Sequence, residues 1–202
     1  MSSTNYTEAV KLLIDQLGKL PGIGPRSAER ITFHLLKAEA KKALTLADAI
    51  RKVKTEVRHC EICYNLCEGQ CCQICSDSRR DAGKVLVVEQ PKDLMQLEGA
   101  GVHDGVYHVL LGHIAPLEGV GPEALTIDAL VERVASRSVH EVIIGTNPTI
   151  EGDGTALYIR SLLAEKNITI TQLARGLPAG SQLEYASKSI LADALTGRQE
   201  MK

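Results

Sequence analysis

CEICYNLCEGQCCQIC, at residues 60–75, contains all six cysteines of the 202-residue chain. Cys60 and Cys63 form one CxxC pair, and Cys72 and Cys75 form a second pair eight residues later. Each pair can direct two thiolates from a tight turn to one ion, so the two pairs together supply a tetrahedral shell of four sulfurs. This spacing predicts a structural zinc site, because four thiolates leave no open position for an activated water.

Other uses of these cysteines stay open. Disulfides compete with the metal, but the polar start of the chain has no signal-peptide pattern and no apolar run approaches the roughly 18 residues of a membrane span. We therefore expect a cytoplasmic protein with reduced thiols. A redox CxxC would open a helix in a thioredoxin-like unit, whereas these pairs lie between a helical region and a sheet pattern. Cys67 and Cys71 are left over as buried spares or alternative ligands.

Residues 6–58, before the cysteines, carry helical patterns. Apolar residues recur at helical spacing before and after LPGIGP, residues 20–25, and again over residues 44–57. Two glycines let the short segment turn tightly, and Pro25 is a good first residue for the helix that follows. Two helices joined in this way form the helix-hairpin-helix pattern, whose backbone amides can hold a phosphate without reading bases.

The helix after this turn is basic on one face. At about 100° per residue, Arg26, Arg30 and Lys37 lie within about 40° of one another. The segment from Lys19 to Arg58 contains ten Lys and Arg against four Asp and Glu, a net charge of +6, although the whole chain is at −2. The pattern predicts a phosphate-binding surface with Lys19, Arg26, Arg30 and Lys37 as contacts, and a solvated helical surface is the alternative.

From Lys84 onward, short apolar runs alternate with helical patterns. Strands are predicted at residues 84–88, 106–111, 141–144 and 168–171, with helices at 91–98, 127–136 and 154–166 between them. This alternation is typical of parallel βαβ units, so we expect an α/β fold here. The first strand ends at Glu89, at the edge where open α/β sheets present their chemistry.

A second acidic stretch, TNPTIEGDG at residues 146–154, follows the third predicted strand. Together with Glu89 it resembles a Toprim domain, the module of topoisomerases, primases and some nucleases, in which a glutamate and a DxD motif hold Mg²⁺. Glu151 matches the acid of the motif's EG, but Asn147 and Thr149 stand where both DxD aspartates would be. Because Mg²⁺ binds mainly through carboxylate charge, this loss predicts a domain that is not catalytic.

Glu89, Glu151 and Asp153 could still hold a metal weakly. A Mg²⁺-dependent Toprim nuclease or topoisomerase-like enzyme therefore stays the alternative function, and an ATPase is disfavoured because the chain has no GxxxxGK[ST] phosphate loop. We favour a docking surface for a basic partner as the role of these acids, and a solvated sheet edge is the simplest alternative.

Over nearly its whole length the chain resembles the RecR family of bacterial recombination mediators. The resemblance is carried by LPGIGPRSAERITFHLL (20–36), the paired CxxC motifs, KVLVVEQPKDL (84–94), LLGHIAPLEGVGP (110–122), GTNPTIEGDGTALYI (145–159) and the terminal LTGR (195–198). It implies a helix-hairpin-helix DNA-binding domain at 1–58, a four-cysteine zinc finger at 59–80, a Toprim-like domain at 81–177 and a C-terminal tail at 178–202 that takes part in oligomerisation.

The resemblance also implies a biological role without catalysis. Proteins of this family assemble into rings, here expected to be tetrameric, that surround DNA without sequence preference in the bacterial nucleoid. They act with RecO, and in some settings RecF, to help load RecA onto gapped DNA coated by single-strand binding protein.

Site residues follow from the same resemblance. Arg26 and Arg30 match the basic hairpin residues linked to DNA contact, and Lys19 and Lys37 are added from the charge pattern. The zinc ligands match Cys60, Cys63, Cys72 and Cys75, and the acidic face associated with RecO contact matches Glu89, Glu151 and Asp153. The chain departs from the family at Ser187, where an aspartate is usual.

Overall fold

The computed structural model describes residues 6–200. These residues divide after Val57 into two compact units. The expected mixed α/β architecture is confirmed, with helices before the cysteines and a parallel sheet after them. None of the helices within residues 6–200 is long and apolar enough to cross a membrane.

The first unit contains three helices, α1 (Glu8–Gly18), α2 (Pro25–Lys37) and α3 (Ala40–Glu56). Gly22, in the turn between α1 and α2, has a φ of 79°, a conformation that L side chains rarely adopt. Pro25 begins α2, where its missing N–H removes no helical hydrogen bond. The helix α3 begins four residues before the predicted start, because the preceding residues, AKKA, are strong helix formers.

The second unit begins with the cysteine region. A two-residue strand, β1 (Arg58–His59), pairs antiparallel with β2 (Leu66–Cys67), and a single helical turn, α4 (Gln73–Ser76), follows. This region is too short to build a core of its own, and its buried apolar residues are cysteines packed with neighbouring apolar side chains.

A four-stranded parallel sheet forms the body of the second unit, in the order β4-β3-β5-β6. Its strands are β3 (Asp81–Val88), β4 (Gly105–Val109), β5 (Glu141–Ile144) and β6 (Thr169–Gln172), and its helices are α5 (Pro91–Gly99), α6 (Ile127–Ser136), α7 (Ile150–Leu163) and α8 (Lys188–Thr196). The four predicted strands and the parallel arrangement are thus confirmed, within three residues at each end.

The central strand β3 is buried on both faces. Val85 and Val87 pack on one side, in a core with side chains of α6 and α7, and Leu86 and Val88 pack on the other side with Leu94 of α5. Alternate residues of a strand point to opposite faces, so one apolar run supplies both cores. This packing fixes the carboxyl end of β3, where Glu89 follows.

Candidate functional sites

The structure brings the four predicted cysteine ligands to one point. The sulfurs of Cys60, Cys63, Cys72 and Cys75 all lie within 4.8 Å of one another, and the first three residues are buried. The Sγ atoms of Cys63 and Cys72 are 3.5 Å apart. Four converging sulfurs are a metal-binding geometry, and the set leaves no position for a water or substrate ligand.

The local backbone explains this convergence. The amide of Cys60 donates to the carbonyl oxygen of Asn65 at 2.7 Å, and the amide of Tyr64 donates to that of Cys60 at 2.9 Å, which closes the first CxxC turn. Tyr64 completes the turn with a left-handed φ of 62°. The amide of Cys72 donates to Cys60 Sγ at 3.3 Å and so attaches the second pair to the first.

Crowding of the thiols opposes their simultaneous ionisation. The hydrogen bond between Cys63 and Cys72 lowers the pKa of Cys72, and the same bond, with burial, raises the pKa of Cys63. The thiols thus stabilise one thiolate at the expense of others. A divalent cation removes the conflict, because it stabilises every thiolate that binds it.

The two additional cysteines lie outside this cluster. Cys67 is half-buried and donates to the carbonyl oxygen of Gly69 at 3.0 Å, and Cys71 is exposed. The interpretation as a buried spare is therefore wrong for Cys71, whereas Cys67 is partly buried against the cluster. Both lie beside the four-sulfur cluster in sequence, but neither belongs to it.

The four basic candidates of the first unit are all exposed: Lys19, Arg26, Arg30 and Lys37. None of them forms an ion pair within residues 6–200. The opposite face of α2 carries the buried Ala28 and Thr32, so the predicted division of this helix into two faces is present.

The start of α2 has free amides. The N-cap residue, Gly24, has no side chain that could cap α2. Within the described part of the chain, the amides of Arg26 and Ser27 have no acceptor. Such amides carry partial positive charge and point away from the helix, which suits a phosphate oxygen. The open amides and Arg26 therefore occur at the same end of α2, whereas Lys37 is the last residue of the helix.

Glu89 does not lie on an exposed acidic face, which corrects the expectation for this residue. It is 3% exposed, and its Oε1 accepts from the amide of Asn147 at 2.8 Å. Its Oε2 accepts from Asn147 Nδ2 at 2.7 Å and lies 3.2 Å from His113 Nδ1. The turns after β4 and β5 thus enclose the carboxylate that follows β3. Sequence reasoning missed His113, because an isolated histidine in a loop carries no spacing signal.

The other two acids have different surroundings. Asp153 forms an ion pair with Arg175, which lowers the pKa of this carboxyl. Glu151 is exposed in the first turn of α7 and forms no ion pair within residues 6–200. Of the three predicted partner-binding acids, Glu151 is thus the one that is both exposed and free of an ion pair.

Comparison with known proteins covers both units. A family model described as "RecR, helix-hairpin-helix" matches residues 10–54, and a model described as "Toprim domain" matches residues 83–174. "Recombination protein RecR" of Rhodopirellula baltica is 57% identical over 98% of this chain and 100% of its own. Proteins of the same name from Dehalococcoides mccartyi and Pelotomaculum thermopropionicum are each 48% identical, over 95% and 98% of this chain and 94% and 98% of theirs.

Proposed function

This chain belongs to the RecR family of recombination proteins, and from that membership we propose that it is a non-catalytic mediator of recombinational DNA repair. It binds DNA without sequence preference and acts with RecO, and in some settings RecF, to help load RecA onto gapped DNA coated by single-strand binding protein. Sequence identity of 57% and 48% to named recombination proteins, over 98% of this chain in both cases, carries this proposal. We assign DNA binding to residues 1–58, a zinc finger to 59–80, a Toprim-like domain to 81–177 and oligomerisation to the tail 178–202.

The hairpin turn and the basic face of α2 are the proposed DNA contact. Lys19, Arg26, Arg30 and Lys37 are exposed and free of ion pairs within residues 6–200, so their charges are available to phosphates. Each hairpin offers few contacts, and such contacts weaken steeply with salt. A tetrameric ring would carry four such hairpins. After the first hairpin binds, the others bind at a high effective concentration, which raises the overall affinity for DNA.

A structural Zn²⁺ is the ion proposed for the four-cysteine cluster. Cys60, Cys63, Cys72 and Cys75 supply only thiolates, and a closed tetrahedral sulfur shell is the preferred environment of structural zinc. The ion would replace the hydrophobic core that residues 59–80 are too short to form.

Two hydrogen-bonding roles support the absence of catalysis. Asn147 donates twice to Glu89, so the carboxylate that a Toprim enzyme would use for Mg²⁺ is already occupied by the chain's own donors. Thr149 caps α7 by accepting from the amide of Gly152 at 3.0 Å. Both DxD replacements therefore have roles in local structure. The rival Mg²⁺-dependent nuclease requires DNA cleavage that Glu89→Gln abolishes.

The proposed partner face centres on Glu151. Its carboxylate is exposed on α7 and suits a basic surface of RecO. Asp153 shares its charge with Arg175, and the buried Glu89 supports the loops from within. DNA as the partner places the protein in the cytoplasm, at the nucleoid.

Fluorescence anisotropy of labelled gapped DNA over a salt series tests the DNA role. We expect the wild-type affinity to fall steeply with salt and Arg26→Ala/Arg30→Ala to lose most binding. The matched control, Arg51→Ala/Lys52→Ala, removes two positive charges that are already paired with Asp48 and Glu56 and should bind nearly as well as wild type. Equal binding by the hairpin variant and the wild type would refute the assigned surface.

A further inference from the structure

Arg133 is a buried arginine in α6 without a carboxylate partner. Only 7% of the residue is exposed, and within residues 6–200 it forms no ion pair. Arginine is almost never fully buried unless it is paired, because a charge removed from water needs compensation nearby. Some other group must therefore supply negative charge to Arg133.

The side chain of Arg133 reaches the free edge of β4. Its Nη1 donates to the carbonyl oxygen of Tyr107 at 2.7 Å. Two residues further on, the amide of Val109 donates to the carbonyl oxygen of Cys63 at 2.8 Å. Residues i and i+2 of a strand direct their backbone groups to the same edge, about 7 Å apart. Arg133 and the first CxxC turn are therefore neighbours on the edge of β4 that faces away from β3.

The cysteine cluster is the negative neighbour. Burial lowers the pKa of Arg133, and negative charge on Cys75, Cys63 and Cys60, such as these residues would carry as metal-bound thiolates, opposes that decrease. The adjacent His108 offers no charge, because burial lowers its pKa to about 4 and keeps it neutral. The residues that converge to form the metal-binding geometry would thus place negative charge near Arg133 once they bind a metal ion as thiolates.

We propose that Arg133 is the counter-cation of the metal–thiolate centre. Four thiolates around Zn²⁺ carry a net charge of −2. The guanidinium of Arg133, which is held at the edge of β4 by its bond to Tyr107, neutralises part of this charge. The inference rests on the proposed zinc site, since four protonated thiols carry no such charge. Arg133 acts as a positioning residue: zinc occupancy and the burial of Arg133 stabilise each other, and Tyr107 links both to the sheet.

Zinc affinity of the full chain, measured by competition with a chromogenic chelator, tests the proposal. Changing the outer-shell partners of metal ligands typically alters metal affinity by about 10- to 100-fold, so Arg133→Met should bind zinc at least about tenfold more weakly. Arg133→Lys keeps the charge and should lose less. The matched control is Arg80→Met. Arg80 donates to the carbonyl oxygen of Gly105 (3.1 Å) on the same edge of β4, but it is paired with Glu98. The zinc affinity of this variant should therefore equal that of wild type.

Thermal unfolding with and without zinc separates charge compensation from packing. With zinc bound, Arg133→Met should melt at a lower temperature than wild type. Without zinc, the arginine of the wild type is an uncompensated charge, so the variant should melt at the same or a higher temperature. An equal decrease in both forms, or unchanged zinc affinity in Arg133→Met, would overturn the role of Arg133. Purified wild type that neither contains nor binds zinc would instead overturn the zinc assignment. If Arg133→Met does not fold, Arg133→Lys takes its place, and a zinc affinity of Arg133→Lys about tenfold or more below that of Arg80→Met would contradict compensation by charge.

Discussion

Glu89 and Asn147 lie 58 residues apart in the chain and are joined by two hydrogen bonds, from the amide of Asn147 to Oε1 (2.8 Å) and from its Nδ2 to Oε2 (2.7 Å). The pair links the carboxyl end of β3 to the turn after β5. In a Toprim enzyme an aspartate would stand in place of Asn147, and a cation would hold the two carboxylates together. Here the neutral Asn147 donates both hydrogen bonds in place of a cation, so the Glu89 carboxylate serves as a structural hydrogen-bond acceptor.

Exchange of the two functional groups tests this relationship. Asn147→Asp places two carboxylates in contact, and we expect the free energy of unfolding to fall by about 2 kcal/mol. The double variant Glu89→Gln/Asn147→Asp restores one amide and one carboxylate with their positions reversed, so it should recover most of the loss. Urea unfolding measures both. A double variant that is no more stable than Asn147→Asp would show that the side-chain pair contributes little.

Removal of the metal should destabilise the second unit. Chelation is expected to lower its melting temperature by on the order of 10 °C and to open residues 58–80 to proteases, because the ion stands in for a core. Cys63→Ser should reproduce the loss. Cys67→Ser and Cys71→Ser are the controls and should keep the metal, since neither sulfur belongs to the cluster. Unchanged melting after verified metal removal would contradict a structural ion.

Two glycines of α7 provide a matched pair. A Cβ on Gly152 would clash with the carbonyl oxygen of Asn147 and lie 2.9 Å from Glu89 Oε1, whereas a Cβ on Gly154 would meet nothing within 4 Å. Gly152→Ala should therefore destabilise the protein by about 2 kcal/mol. Gly154→Ala should be neutral or stabilise it by up to about 1 kcal/mol, because alanine favours helix. Thermal denaturation distinguishes the two, and similar effects would be evidence against the close approach at Gly152.

Glu151 should affect partner binding more than DNA binding. Reversal of its charge in Glu151→Lys removes an exposed acid from the proposed face, so RecO affinity is expected to fall about tenfold or more while affinity for gapped DNA changes little. Glu165→Lys makes the same charge change at another exposed position and serves as the control. Biosensor titrations with RecO and with DNA provide the comparison. A larger loss of DNA affinity than of RecO affinity would reverse the assignment.

His108 should make the second unit less stable in mild acid. Burial lowers its pKa to about 4 from an ordinary value of 6.5. The unfolded chain therefore takes up a proton at higher pH than the folded chain, and stability present above pH 6.5 is lost as the pH falls toward 4. At pH 5.5 the expected loss relative to pH 7.5 is about 1 kcal/mol. Urea unfolding of wild type and His108→Gln at both pH values should show the loss in wild type beyond that in the variant. Equal losses would exclude His108 as the source.

Local patterns predicted the elements well and their ends less well. The predicted start of α7 was Gly154, yet the helix begins at Ile150 and includes Gly152, although glycine has a low helix propensity. Thr149 caps it there by accepting from Gly152, a bond that forms only when the helix is already present. Likewise β4 ends at Val109 rather than in the apolar pair that follows, since Leu111 adopts a left-handed φ of 65°.

The sequence by itself determined the cysteine cluster, the glycine turn before α2 and the run of strands, because each depends on spacing within a few residues. Only the tertiary structure decided that Glu89 is enclosed by Asn147 and His113, and that Arg133 lies beside the first CxxC turn. These residues meet because parallel strands bring distant segments to shared edges of one sheet. Burial then decides their chemistry: a carboxylate at a strand end becomes an internal acceptor, and a helical arginine becomes a charge that needs a partner.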